Sequence, residues 1–162
     1  MPFDKEAVCA LLEEEGVPFT RQEHPAIFTM EEMEALHLPG EADIAKNLFL
    51  RDDKKQRYYL VSLYSDRRAD LKALRAAMGS RPLSFAPEED LFRLLALKKG
   101  SVTPLGALND AEKRVCVVLD PAFRGGRIGV HPNDNTATLF LPADELLALL
   151  RRHGTAAEYL DT

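Results

Sequence analysis

The stretch that decides the fold reads IAKNLFL at residues 44–50, RDDKKQ at 51–56 and RYYLVSLY at 57–64. Two apolar runs flank a charged turn from Asp52 to Gln56, which is the pattern of a β-hairpin. A third run, RVCVVL at residues 114–119, is more strongly apolar and predicts a central strand. These three strands are the frame on which the remaining elements are placed.

Helical periods and capping signals surround this frame. Apolar residues recur at helical spacing after Asp4 and stop at Gly16, and Thr29 with Glu32 forms a capping-box pattern. The predicted helices lie at residues 4–15, 29–36, 69–78, 87–95 and 142–153, with a short helical turn opening at Pro104. Further strands are predicted at residues 18–24, 83–85, 127–131 and 136–141, with an edge strand at 157–160.

Strands and helices interleave here without regular βαβ spacing, so we expect an α/β fold rather than a Rossmann fold. The expected architecture is one domain over residues 1–162, with a mixed β-sheet surrounded by helices.

The composition is that of an ordinary globular protein. The chain has 162 residues, of which 46% are hydrophobic and 29% charged. No apolar run reaches the roughly 18 residues that cross a bilayer, and the N-terminus lacks signal-peptide character. Cys9 and Cys116 lie far apart and suit a reducing compartment. We therefore expect a cytoplasmic protein without a membrane partner.

The net charge of −5 argues at first against a nucleic-acid partner. Its distribution is uneven, because residues 1–43 hold 11 acidic and 2 basic residues whereas residues 44–162 hold 15 acidic and 19 basic ones. A locally basic face could meet phosphates on an acidic protein. A solvated mixed surface explains the same counts.

Common catalytic motifs are missing from the sequence. The four histidines show no metal-binding spacing, and there is no P-loop, no GxSxG elbow and no GxGxxG loop. We therefore expect no metal and no cofactor, and no local motif supports a covalent nucleophile. From pattern alone, the chain is an α/β domain with a basic middle.

Three segments together resemble a known family. They are AKNLFL at residues 45–50, the GSVTP loop at 100–104, and GVHPNDNTAT at 129–138, with EHP at 23–25 and LSF at 83–85 in the same order. In these segments the chain resembles the YbaK-like family, which includes the editing domain of bacterial prolyl-tRNA synthetases. It looks most like the freestanding Ala-tRNA(Pro) deacylases of the PrdX type, and the likeness covers nearly the whole chain.

The resemblance implies a trans-editing hydrolase that removes alanine from mischarged Ala-tRNA(Pro). Such a step is needed because a pocket built for proline rejects a smaller apolar amino acid by only about 1–3 kcal/mol per missing methylene. Members of this family are expected to use bound water and the substrate's own ribose hydroxyl rather than a protein nucleophile. The implied partners are the aminoacylated acceptor end of tRNA, with tRNA(Pro) the expected one, and prolyl-tRNA synthetase as a candidate protein partner.

The resemblance assigns three catalytic positions, each with a plainer alternative. Lys46 would position the 3′-terminal phosphate or ribose, or else be an exposed strand-end lysine. Gly100 would open a loop whose backbone approaches the substrate, or else be part of a plain connection. His131 would orient water or substrate, or else be a hairpin-end histidine bonded to the backbone.

The remaining expected contacts are with substrate and tRNA. Each of these residues has an ordinary alternative: Asn47 could cap a turn, and the basic side chains could simply be solvated. The substrate-binding and tRNA-binding candidates are Asn47, Arg81, Ser101, Thr103, Pro104, Lys98 and Lys99, with Lys72 and Arg75 as further phosphate contacts. Apolar candidates for the pocket, each equally suited to the core, are Phe28, Ile44, Leu48 and Phe85.

Three other functions stay open at this point. A Cys- or Ser-tRNA deacylase would share the fold and differ in a few pocket volumes. A non-catalytic protein that binds the tRNA acceptor end would show salt-dependent binding without hydrolysis. A generic small-molecule binding domain would show no affinity for tRNA.

Overall fold

The elements of the fold follow the predicted order closely. The computed structural model describes residues 3–26, 29–36, 41–64, 69–98 and 100–160. Within these residues the helices are α1 (Lys5–Glu14), α2 (Met30–Ala35), α3 (Leu71–Met78), α4 (Glu88–Leu95) and α5 (Ala143–Arg152). The strands are β1 (Thr20–Glu23), β2 (Lys46–Asp52), β3 (Tyr58–Leu63), β4 (Leu83–Phe85), β5 (Val115–Leu119), β6 (Arg127–Val130), β7 (Ala137–Pro142) and β8 (Ala157–Tyr159). A 3₁₀ helix at Pro104–Asn109 is the helical turn expected there.

Local capping explains where the helices begin and end. The Asp4 carboxylate accepts a hydrogen bond from the Ala7 N–H at 2.9 Å at the start of α1. Asp70 caps α3 in the same way, and Gly79 ends that helix in the left-handed conformation with φ +62°. At the start of α2 the Thr29 hydroxyl accepts from the Glu32 N–H at 3.1 Å, as the capping-box pattern predicts, and donates to the Glu32 carboxylate at 3.3 Å. These helix boundaries are therefore set by side chains within one turn of each end.

The strands divide into two sheets. The larger sheet is mixed and has the order β4-β2-β3-β5-β8, with β5 and β8 running parallel to β3. β5 has a neighbour on each side, as its apolar sequence predicts, and β8 is an edge strand. The smaller sheet is antiparallel and has the order β1-β7-β6. The expected mixed sheet is present, and the structure adds this second sheet beside it.

The main core lies between the sheets and helices α1, α4 and α5. Alternate residues of β3 and β5 point to opposite faces of the larger sheet. Leu60 and Val117 therefore belong to this core, whereas Val61 and Val118 face the other side. A smaller apolar cluster on that opposite face packs under α3 through Leu74. Among the described helices, none is both long and apolar enough to traverse a lipid bilayer.

The two sheets meet where the chain enters β2. Ile44 forms a parallel bridge with Gly129, and the Ala45 N–H donates to the Gly129 carbonyl at 2.9 Å. A Cβ at Gly129 would lie 2.8 Å from Phe140 Cε1 and 3.0 Å from Ile44 Cγ1. A glycine is therefore required for this close approach, which places residues 44–45 along the free edge of β6, with the Ile44 side chain on Phe140, on the outer face of the small sheet.

Candidate functional site

A small hollow lies at this junction of the sheets. It holds about 10 Å³, room for about one water-sized group, and is lined by Ile44, Ala45, Asn47, Gly129, Val130, His131 and Thr138. Apart from Ile44, the lining comes from two of the three segments that carry the resemblance, residues 45–50 and residues 129–138. Its side chains are small or apolar except for one amide, one imidazole and one hydroxyl.

His131 is held in this hollow by its own hairpin. Its Nδ1 lies 2.9 Å from the carbonyl oxygen of Ala137, which only accepts hydrogen bonds, so the Nδ1–H donates and Nε2 is left as an acceptor. Burial lowers the pKa of His131, and the nearby His24 ring acts in the same direction against the Ala137 carbonyl. The imidazole is therefore neutral and polar at neutral pH. His131 thus makes the backbone hydrogen bond expected of a hairpin-end histidine and also lines the hollow.

His24 and Thr138 form a second polar pair beside His131. His24 Nδ1 lies 2.9 Å from the Pro25 carbonyl and its Nε2 lies 2.8 Å from Thr138 Oγ1. With Nδ1 donating, Nε2 accepts, so the fully buried Thr138 hydroxyl donates to His24. The His24 and His131 rings meet edge to face, with centroids 6.1 Å apart. This arrangement fixes the orientation of the hydroxyl that lines the hollow.

Sequence reasoning gave no role to His24 or Thr138. Both lie in segments that carried the resemblance, but neither stands out by residue type alone. They meet because β1 pairs with β7, with Gln22 opposite Thr138. The missing signal was this long-range strand pairing.

Asn47 is the amide of the hollow. Its Oδ1 accepts a hydrogen bond from the buried Ser62 hydroxyl at 2.6 Å across the β2–β3 pair. The bond fixes the side-chain amide, whose Nδ2 is left as a donor. Asn47 therefore braces a strand rather than capping a turn.

The 100–104 loop lies against the hairpin that carries His131. Thr103 is fully buried, and its hydroxyl donates to the His131 carbonyl oxygen at 2.6 Å. Ser101 and Pro104 are buried as well, and Gly100 has a φ of +92°, which favours glycine. Gly100 itself does not line the hollow. The loop therefore supports His131 through Thr103.

Lys46 is half-buried at the start of β2 and is not among the residues that line the hollow. Neighbouring residues of a strand point to opposite faces, so Lys46 shares its face with Leu48 and Asn47 lies on the other. Within the described part of the chain, the Lys46 ammonium has no ion-pair partner.

The other basic candidates lie outside the hollow. Arg81 forms a two-point ion pair with Asp53, at 2.6 and 3.0 Å, beyond the far end of β2. Lys98 is exposed after α4, and the predicted contact Lys99 lies outside the described residues, as does Phe28. Of the other pocket candidates, Ile44 and Leu48 are buried, whereas Phe85 is 59% exposed.

Metal and thiol chemistry find no support in the described residues. They contain no group of three His, Cys, Asp or Glu side chains arranged to hold a metal ion. Both cysteines are free thiols; burial raises the pKa of Cys9, and it raises the pKa of Cys116 to about 11. Such thiols stay protonated at neutral pH and are poor nucleophiles.

Comparisons with known proteins agree on one family. A family model described as "Aminoacyl-tRNA editing domain" matches residues 24–149. The chain is similar to the prolyl-tRNA editing protein ProX of Acetoanaerobium sticklandii, with 41% identity over 158 residues, 97% of this chain and 96% of that protein. It is also similar to prolyl-tRNA synthetase associated domain-containing protein 1 of Danio rerio, with 40% identity over 133 residues, 79% of this chain and 71% of that protein.

Solved structures share the fold. A crystal structure described as a candidate trans-editing enzyme for prolyl-tRNA synthetase has a TM-score of 0.70 and 25% identity, covering 98% of this chain and 96% of that one. The hypothetical protein APE2540 has a TM-score of 0.72 at 18% identity, covering 96% and 99%. The overall fold of the chain is thus shared with solved structures.

Proposed function

The chain belongs to the aminoacyl-tRNA editing domain family, and from this premise we propose that it is a trans-editing hydrolase that removes alanine from Ala-tRNA(Pro). In this proposal, residues 1–162 act as one editing domain in the cytoplasm. Its partner is the aminoacylated acceptor end of tRNA(Pro), and prolyl-tRNA synthetase is the candidate protein partner.

The observation that carries the proposal is the size and lining of the hollow. Ile44, Ala45 and Val130 give it apolar walls, and the space inside is about 10 Å³. Such a space takes about one water-sized group, which is comparable to a methyl side chain, whereas a proline ring needs more room. The hollow thereby supplies the size exclusion that a synthetase pocket built for proline lacks.

The state of its polar groups favours alanine over serine. Asn47 Oδ1 is already engaged by Ser62, and the Thr138 hydroxyl is already committed to His24. In this proposal the two unengaged atoms, Asn47 Nδ2 and His131 Nε2, serve the ribose and the water rather than the amino-acid side chain. A site that selects a hydroxyl normally aims unengaged polar groups at it, because the resulting hydrogen bond gives strong discrimination. The methyl group of alanine needs no hydrogen-bond partner, so it loses no hydrogen bond in this hollow.

Hydrolysis needs only a positioned water in this site. Water adds to the ester carbonyl, the bond from the carbonyl carbon to the ribose oxygen breaks, and that oxygen takes up a proton, which leaves free alanine and tRNA. A ribose hydroxyl beside the ester assists the transfer, and His131 Nε2 accepts a hydrogen bond that orients the water or the substrate. The protonated thiols agree with a route without a covalent intermediate.

The remaining candidates hold the nucleic acid. Lys46 binds the 3′-terminal phosphate or ribose, and the Gly100–Pro104 loop presents backbone groups to the substrate. Lys98, Lys99 and Arg81 contact acceptor-stem phosphates, and for Arg81 this requires release of Asp53.

A deacylation panel tests the proposal directly. The protein is incubated with tRNA(Pro) charged in turn with alanine, serine, cysteine or proline, and release of each amino acid is followed. We expect alanine to be released fastest and proline to be retained. Faster release of cysteine or serine would assign the chain to the sister activity, and salt-dependent binding without any release would make it an adaptor.

The pocket wall offers a sharper test of size exclusion. Ile44→Val removes one methyl group from the lining of the hollow, and such a change costs about 0.5–1.5 kcal/mol of stability. We expect the preference for Ala-tRNA(Pro) over Pro-tRNA(Pro) to fall by roughly 10-fold. Ile128→Val, a buried control outside the hollow, should keep the preference. An unchanged ratio in Ile44→Val would contradict the assigned pocket.

A further inference from the structure

A second and larger cavity adjoins the hollow along the edge of β2. It is a groove of about 220 Å³, lined by Asn47, Leu48, Phe49, Phe85, Ala86, Glu88, Leu91 and Val102. Most of this lining is apolar, and Glu88 contributes a carboxylate.

The groove exists because β4 covers only half of β2. β4 pairs with Leu50 to Asp52, and the Ala86 N–H donates to the Phe49 carbonyl at 2.9 Å beyond it. Backbone groups alternate along an antiparallel strand, so those of Asn47 point to the same side as those of Phe49. Beyond the end of β4, this edge therefore presents a main-chain donor and acceptor to the groove.

Phe85 is the unusual residue of this groove. It ends β4 with 59% of its surface exposed, so burial in a core does not explain it. An aromatic ring on the wall of an apolar groove is a platform on which a planar ring can stack.

Two shared features join the groove to the proposed site. Asn47 lines both the groove and the hollow, so the two lie side by side at this residue. Val102 brings the 100–104 loop to the groove, and Lys46 shares the strand face of Leu48. The hollow, the groove and a cation thus surround the first residues of β2.

We propose that this groove binds the adenine base of the 3′-terminal nucleotide, stacked on Phe85, while the ribose sits at Asn47 and the amino acid enters the hollow. The assignment rests on the proposed function, because an aminoacyl ester on a terminal adenosine places a base and a small side chain on the two sides of one ribose. The groove is the nucleoside half of the site and the hollow is its amino-acid half.

The chain contains no tryptophan, so Phe85→Trp creates a single fluorescent reporter in the groove. We expect adenosine 5′-monophosphate to quench this fluorescence in a saturable way and ribose 5-phosphate, which lacks the base, to leave it unchanged. Phe92→Trp is the matched control, since Phe92 is 62% exposed on α4 and does not line this groove. Equal quenching of the two reporters, or none in Phe85→Trp, would overturn the assignment.

Steady-state deacylation of an alanylated RNA minihelix gives the second readout. We expect Phe85→Ala to raise KM by about 10-fold with a much smaller change in kcat, because one stacked base is lost. Phe92→Ala should behave like the wild type. Removal of the terminal base from the minihelix should weaken the wild type but add nothing in Phe85→Ala.

The two proposals fail in different ways. If the wild type releases no amino acid from any charged tRNA, the proposed function falls, while nucleotide quenching in Phe85→Trp still reports on the groove. If the wild type is active and Phe85→Ala has an unchanged KM, the base assignment falls and the proposed function stands.

Discussion

At the scale of single residues, two histidines organise the hollow, and each of them is hydrogen-bonded through Nδ1 to a backbone carbonyl oxygen. His131 donates from Nδ1 to Ala137, and His24 donates from Nδ1 to Pro25. Each ring therefore presents Nε2 as an acceptor, one of them to the Thr138 hydroxyl. The site thus orients a substrate through hydrogen-bonding groups, and Lys46 is the cation at the start of β2.

The protonation state of His131 is linked to stability. Burial lowers the pKa of His131 in the folded protein, so the unfolded chain, with a pKa of about 6.5, takes up its proton first on acidification. Its contribution to the free energy of unfolding is present above about pH 6.5 and is lost as the pH falls through the folded-state pKa. His131→Asn retains a donor for the Ala137 carbonyl and does not titrate.

We therefore expect the wild type to lose more stability than His131→Asn as the pH is lowered below about 6.5. Urea unfolding at matched pH values measures both proteins. Parallel pH dependences in the two proteins would show that the His131 ring is not buried in its neutral form.

Lys46 carries the prediction for nucleic-acid binding. Lys46→Ala removes a cation that has no ion-pair partner in the described chain, so we expect the fold to be kept. The value of kcat/KM for Ala-tRNA(Pro) should fall by about 10- to 100-fold, as for a lost charge-assisted hydrogen bond. Lys54→Ala, at an exposed turn position, is the control. Wild-type rates in Lys46→Ala at unchanged thermal stability would remove Lys46 from the site.

At the scale of elements, α4 is tied to the large sheet by a buried carboxylate. Asp90 accepts hydrogen bonds from the Tyr58 hydroxyl at 2.9 Å, Arg51 at 3.0 Å and Arg93 at 3.1 Å. Burial alone would raise the pKa of Asp90, but the three donors outweigh it and lower the pKa. This network holds the helix that forms one wall of the groove.

Asp90→Asn should destabilise the protein by about 1–3 kcal/mol, since it removes a charged acceptor from three donors. The depressed pKa makes this contribution present above about pH 4 and lost as the pH falls through the folded-state value. Chemical denaturation at neutral pH and at about pH 3 measures the difference, with exposed Glu89→Gln as the control. An equal destabilisation at both pH values would contradict the ionised network.

Sequence predicted the elements well because their signals are local. The Asp70 cap, the Gly79 stop and the apolar period of α3 all lie within ten residues, and the structure confirms this helix. The separation into two sheets was not predictable in this way, because the pairing of Thr20 with Phe140 joins residues far apart in the sequence.

The candidate site shows the same limit. Asn47 and His131 were predicted together by resemblance and do line one hollow. The meeting of His24 with Thr138 depends on β1 pairing with β7, and the exposure of Phe85 depends on how far β4 extends. Neither is encoded in a local pattern.

At the scale of the whole molecule, one glycine permits the close contact between the two sheets beside the site. The outer face of the small sheet carries Gly129, Thr138 and His131, and Ile44 is seated on it because Gly129 has no side chain. The start of β2, and with it Lys46 and Asn47, is therefore positioned by the contact between sheets. The packing of Ile44 against Gly129 therefore also sets the positions of Lys46 and Asn47.

Gly129→Ala tests whether the contact between the sheets sets the shape of the hollow as well as the stability of the fold. The added methyl would lie 2.8 Å from Phe140 Cε1 and 3.0 Å from Ile44 Cγ1, so one of these buried rings or chains must move. We expect a loss of about 1–3 kcal/mol in the free energy of unfolding from overpacking, together with a larger fractional loss of deacylation as the hollow is distorted.

Gly126→Ala is the control, because its methyl would lie 3.6 Å from the Phe123 carbonyl oxygen and meet nothing closer. Thermal unfolding and Ala-tRNA(Pro) hydrolysis measure the pair. If Gly129→Ala keeps full activity while losing stability, the junction supports the fold without setting the shape of the hollow.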